Sequence, residues 1–70
     1  MDEGIDEMAV ALAVAGEDVR LTSAERRVAV ERLWGTRYSD SGIAERLRIA
    51  PRTALRIRQE LGLAAVALAS

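Results

Sequence analysis

Residues 40–59 read DSGIAERLRIAPRTALRIRQ, two short amphipathic stretches with a tight join between them. In the first, Ile43, Ala44 and Leu47 recur at the three- and four-residue intervals of one helical face. Ser39 stands just ahead as an N-cap, with Asp40 in the first turn where a negative charge suits the helix dipole. The second stretch opens on Pro51, which fits the first helical position because no intrahelical bond needs its missing amide. Ala54, Ile57 and Leu61 face inward, and Gly62 is a natural C-terminal cap. Only Arg48, Ile49 and Ala50 separate Leu47 from Pro51, so the two helices must turn sharply. The outward side of the second helix is left with Arg52, Leu55, Arg56 and Gln59, flanked by Arg58.

Upstream, Thr22 followed by Glu25 forms a capping box, with Leu21 placed to pack on the first turn. It predicts a supporting helix over 22–35 with Val28, Ala29, Leu33 and Trp34 as its buried stripe. Arg26, Arg27 and Glu31 are expected to be mostly solvated, and Gly35 and Thr36 to end the helix. Further back, Ile5, Met8, Ala9, Leu12 and Ala15 recur at helical spacing and predict a first helix over 5–15, ended by Gly16. Its other side is also apolar, with Val10, Ala11 and Val14. A helix apolar all round is covered on more than one side, by its own subunit or by a second one. The stretch 63–69 carries no charge; it is expected to continue as a short helix and to pack on the first helix, on another subunit, or on both.

The expected fold class is therefore all-α: one domain over 1–70, with helices at 5–15, 22–35, 40–47 and 51–61 and an apolar tail at 63–69. Seventy residues make one compact domain of modest core. Abundant Ala, Leu, Glu and Arg favour helix, and no alternating run of strand length occurs. With no cysteine and no histidine, disulfides and thiolate metal sites are excluded. No cofactor is implied. The usual nucleophile–base pairs are missing, and no glycine-rich phosphate loop occurs, so the chain does not read as an enzyme. The uncharged stretches 8–16 and 61–70 are too short to cross a bilayer, and the acidic start has the wrong sign for a secretory leader. A cytoplasmic, soluble protein with no membrane contact is expected.

Charge is split along the chain. Residues 1–18 hold six acids and no base, whereas the remainder holds all ten arginines against five acids. The basic part can face a polyanion although the whole chain carries a net charge of −1.

With these residues in view, 40–59 resembles the bihelical unit of bacterial and phage helix-turn-helix DNA-binding regulators. Ala44 stands where that family has an alanine at the close crossing, and Ile43, Leu47, Ile49, Ala54 and Ile57 match its apolar supports. Arg48 occupies the turn position at which the family has glycine, and Ala50 the cap at which it has Ser or Thr. The resemblance implies that Pro51, Arg52, Leu55, Arg56 and Gln59 lie toward the major groove of double-stranded DNA. The chemistry suits this: Arg bonds guanine in two places, Gln does so with adenine, and Leu55 can touch a thymine methyl. Arg37, Ser39, Arg46, Arg48, Thr53 and Arg58 suit phosphate, and Tyr38 adds a hydroxyl. Trp34 and Tyr38 otherwise read as packing residues at the helix junction.

One unit of this kind covers few base pairs, so a homodimer on two half-sites is expected, joined through the N-terminal helix and the C-terminal tail. The expectation is a small transcription regulator such as a repressor, of phage or mobile-element type. The alternative is a protein-interaction module that binds a transcription component or a larger regulator. An architectural or recombination-directionality factor would use the same DNA contacts.

Overall fold

The computed structural model describes residues 4–64. These form four α-helices and no strand: α1 (Glu7–Val14), α2 (Ser23–Gly35), α3 (Asp40–Leu47) and α4 (Pro51–Glu60). The helix starts follow from short polar side chains. Asp6 caps α1, its carboxylate accepting from the amides of Met8 (3.0 Å) and Ala9 (3.2 Å), so the helix begins after Asp6 rather than at Ile5. Ser39 caps α3 by accepting from Gly42 N–H at 3.2 Å. Ala50 offers α4 no side-chain bond, and Pro51 starts that helix by its fixed φ alone.

Each of the four helices closes on a residue with positive φ: Gly16 (99°), Arg37 (73°), Arg48 (59°) and Gly62 (76°). After α1 the Glu17 amide donates to Leu12 C=O and the Gly16 amide to Ala13 C=O, both at 2.9 Å. These crossed bonds satisfy the last carbonyls of the helix and require the left-handed residue between them. At the end of α2 the same turn is made by Arg37, with Tyr38 N–H donating to Leu33 C=O at 3.1 Å. Gly35, expected to end this helix, is still its last residue, and Thr36 is the cap. Arginine rather than glycine therefore takes the left-handed conformation at two of the four ends, at a cost of about 1 kcal/mol each.

The core is one cluster of Val30, Leu33, Ile43, Ala44, Ala54 and Ile57, with Val14, Trp34, Tyr38, Leu47, Ile49 and Leu61 packed around it. It lies where α2 meets α3 and α4. α1 packs on α2 and α3 and, among the described residues, does not reach α4. One expected face is corrected. On α2, Val30 is buried with Ala29 and Leu33, whereas Val28 is only half-buried. On α1, whose two sides both read as apolar, the buried pair is Val10 and Ala13, while Ile5 just ahead of it is 37% exposed, Leu12 41% and Met8 72%. A helix apolar on every side has no preferred phase of its own, and here the small Ala13 beside Val10 is the side that fits on α2 and α3. The apolar tail expected over 63–69 lies outside the described residues from 65 onward.

The capping box at α2 does more than start a helix. Glu25 Oε1 accepts from Thr22 N–H at 2.9 Å, and its Oε2 accepts from Asp6 N–H at 2.8 Å. One buried carboxylate thus ties the start of α1 to the start of α2. The amides of Thr22 and Asp6 hold the Glu25 carboxyl below its ordinary value of 4.5. A depressed folded-state value means the unfolded chain takes up the proton first as pH falls. The stability that Glu25 adds is therefore whole above pH 4.5 and is lost as pH drops through its folded value. Thermal unfolding followed between pH 6 and pH 3, each of these being about one to two units from that carboxylate range, should show a fall in midpoint that is shallower in Glu25→Gln.

Candidate nucleic-acid interface

The exposed side of α4 is built by exclusion. Ala54 and Ile57 are drawn into the core, and at 3.6 residues per turn the residues opposite them cannot be. Pro51, Arg52, Leu55, Arg56 and Gln59 then share an arc of about 140°. Leu55 is half-buried and the other four are exposed. Arg52 has no charged partner among the described residues. Arg56 has only a 3.8 Å approach to Glu60, itself held by Arg27 at 2.8 Å. Both guanidiniums stand in water, where such pairs contribute little. The row combines two fork-shaped donors, a carboxamide and an apolar side chain.

The residues expected to grip phosphate are placed less uniformly. Arg37 is exposed, follows α2 directly and has no ion-pair partner among the described residues. Ser39 and Thr53 are half-buried; the Ser39 hydroxyl accepts from Gly42 N–H and keeps its own hydrogen to donate. Arg46 and Arg48 turn back on the end of α1. Arg46 donates to Ala15 C=O at 3.1 Å and to the Tyr38 hydroxyl, with its guanidinium 5.2 Å from the centre of the Tyr38 ring. Arg48 donates to Gly16 C=O at 3.2 Å and approaches Asp18 at 3.8 Å. Carbonyls at a helix C-terminus carry partial negative charge, which explains why cations gather there. Space is tight at this point, since a Cβ on Gly16 would lie 2.9 Å from Arg46 Nη1.

Arg58 is the correction. It is expected to flank the exposed row and reach phosphate, yet its side chain is only 9% exposed. Its Nε and Nη2 donate to the two carboxylate oxygens of Asp40 at 2.7 and 3.1 Å, and Nη1 donates to Leu63 C=O at 2.8 Å. Its hydrogen bonds to the Asp40 carboxylate raise its already high pKa, against the effect of burial. Arg58 joins the first turn of α3 to the chain leaving α4, with three of its five N–H groups held and little of its side chain at the surface. The signal was present in the spacing, because residue 58 follows Ala54 by four and precedes Leu61 by three. Asp40 was legible as a first-turn acid, but its partner 18 residues on was not.

Sequence reasoning passed over Arg20 and read Arg26 only as a solvated side chain of α2. Arg26 lies in two neighbouring surface clefts: one with Ser23, Arg27, Arg56 and Glu60, the other with Asp18, Arg20, Leu47 and Arg48. Among the described residues, no group of His, Cys, Asp or Glu is arranged to hold a metal ion, and no helix is long and apolar enough to cross a membrane. Compared with known proteins, the chain matches no family model, no curated protein and no solved structure.

Proposed function

We propose that this chain is a small transcription regulator that binds double-stranded DNA sequence-specifically, with α3 and α4 as a helix-turn-helix pair and α4 as the helix that enters the major groove. The observation that carries the reading is the outward row of α4, in which Arg52, Leu55, Arg56 and Gln59 stand off a helix whose other side is locked into the core. The join supports it. Arg48 takes the left-handed conformation (φ 59°, ψ 43°), the backbone state that glycine supplies at the turn of the regulators this stretch resembles. Arg52 and Arg56 serve as base readers, Gln59 and Leu55 complete the reading edge, and Arg37, Ser39 and Thr53 fix the register on phosphates. Arg46, Arg48 and Tyr38 chiefly brace α3 against the end of α1.

The exposed Ile5 just ahead of α1, with Met8 and Leu12 on it, supports a homodimer. The same apolar side favours a second reading, in which α1 docks on another protein of the transcription machinery. Neither reading involves catalysis.

The test is a fluorescence-anisotropy titration of a duplex selected from a random pool, alongside a scrambled duplex, at two salt concentrations. Binding should weaken steeply with salt on both duplexes and be tighter on the selected one. Arg52→Ala should lose about 1–3 kcal/mol on the selected duplex and little on the scrambled one. Equal loss on both would move Arg52 to the phosphate set. Absence of binding at low salt, with a stable complex in a pulldown, would favour the second reading.

A further inference from the structure

We infer that the N-terminal turn of α2, with the loop before it, forms a phosphate-binding track beside α4, with Arg26 at its centre and Arg20 at its outer end. The inference rests on the DNA reading above and extends it to an element outside the helix pair. Arg26 lines both clefts, so the two adjoin at its side chain, and together they make the trough. On one side the trough reaches Arg56, a member of the outward row of α4. On the other it reaches Arg20 and Arg48, next to the join between α3 and α4.

Five arginines line this trough against Asp18 and Glu60. Glu60 is held by Arg27 at 2.8 Å, and Asp18 makes only a 3.8 Å approach to Arg48. The side chains of Arg20 and Arg26 have no ion-pair or hydrogen-bond partner among the described residues. Five cations set against two acids along a groove leave a net positive charge, which a polyanion lying in it relieves. Because Arg56 is shared between the reading row and the trough, a duplex seated on α4 brings one of its backbones over Arg26. The ligand is the phosphodiester backbone, so the track adds affinity without adding preference for sequence.

The test compares the unmodified protein with Arg20→Gln, Arg26→Gln, their double variant and Arg26→Lys, on the selected and scrambled duplexes over a range of salt. Each phosphate contact contributes about 0.9 to the slope of log affinity against log salt. The double variant should therefore have a slope shallower by about 2, with the ratio of selected to scrambled affinity unchanged. Arg26→Lys should keep the slope, since a point charge suffices at a phosphate. Arg20 is exposed, so Arg20→Gln should lose about 1 in slope with no change in thermal midpoint, whatever Arg26→Gln does to folding. An Arg20→Gln protein with an unaltered slope would overturn the track alone. Failure of the unmodified protein to bind any duplex would overturn the track together with the DNA reading.

Discussion

Ala44→Leu is expected to destabilise the fold by about 3 kcal/mol, the upper part of the range for forcing carbon into a packed core. Ala44 is 2% exposed and sits in the cluster of Val30, Ile43, Ala54 and Ile57. The Ile49 amide donates to the Ala44 carbonyl at 2.9 Å, so the join to α4 hangs from the same residue. Three added carbons can be housed only by moving α3 off α4. A domain of this size has roughly 0.05–0.15 kcal/mol of stability per residue, so a loss of that size takes a large share of the total. Urea denaturation checks it, with Glu45→Leu as the control. Glu45 is the next residue and is exposed, and its substitution should stay within about 0.5 kcal/mol. DNA binding should fall with the folded fraction in Ala44→Leu and persist in the control.

Arg58→Ala is the second large effect, expected at about 3 kcal/mol, the low end for breaking a buried pair. The lower figure applies because Asp40 retains 29% exposure and water can solvate part of the orphaned carboxylate. Three hydrogen bonds disappear at once, two to Asp40 and one to Leu63 C=O. Arg58→Lys should rescue only a minor part, because an ammonium cannot present the planar fork that meets both oxygens and the carbonyl. A double-mutant cycle with Asp40→Asn should return a coupling of about 1–3 kcal/mol. If Arg58 instead served as a phosphate contact, its loss would leave unfolding untouched and lower the salt slope of DNA binding.

Which parts of this molecule are legible in its sequence follows from how local each decision is. Helix starts are local: Thr22 with Glu25, Ser39, and Pro51 each act within one turn, and the structure starts helices on them. The four-helix, sheet-free class follows from these signals and from the spacing of Ile43, Ala44, Leu47, Ala54 and Ile57. The inward face of α1 is not local. Apolar residues surround that helix, so its rotation is chosen by the fit of Val10 and Ala13 on the rest of the fold. The left-handed residue after α2 is likewise set by the path to α3, which puts the turn at Arg37 although Gly35 stands two residues earlier.

The candidate site divides the same way. Helical spacing is enough to separate the outward row of α4 from its core side. Arg46, Arg48 and Arg58 all read as free cations in the sequence, yet each meets an acceptor more than ten residues away. An arginine in a basic stretch reveals its sign to a sequence reader but not its partner. That also explains why the sequence assigns Arg20 and Arg26 no role: they stand out only beside Arg48 and Arg56, which the fold brings to them.

The most direct test of the account is an amide-resolved NMR titration of the protein with the selected duplex. The largest shift changes should fall on Arg52, Leu55, Arg56 and Gln59, with smaller changes at Arg37 and Ser39 and none at the buried Val10 and Ala13. Changes gathered on Met8 and Leu12 of α1, with α4 unmoved, would contradict the claim that α4 is the reading helix.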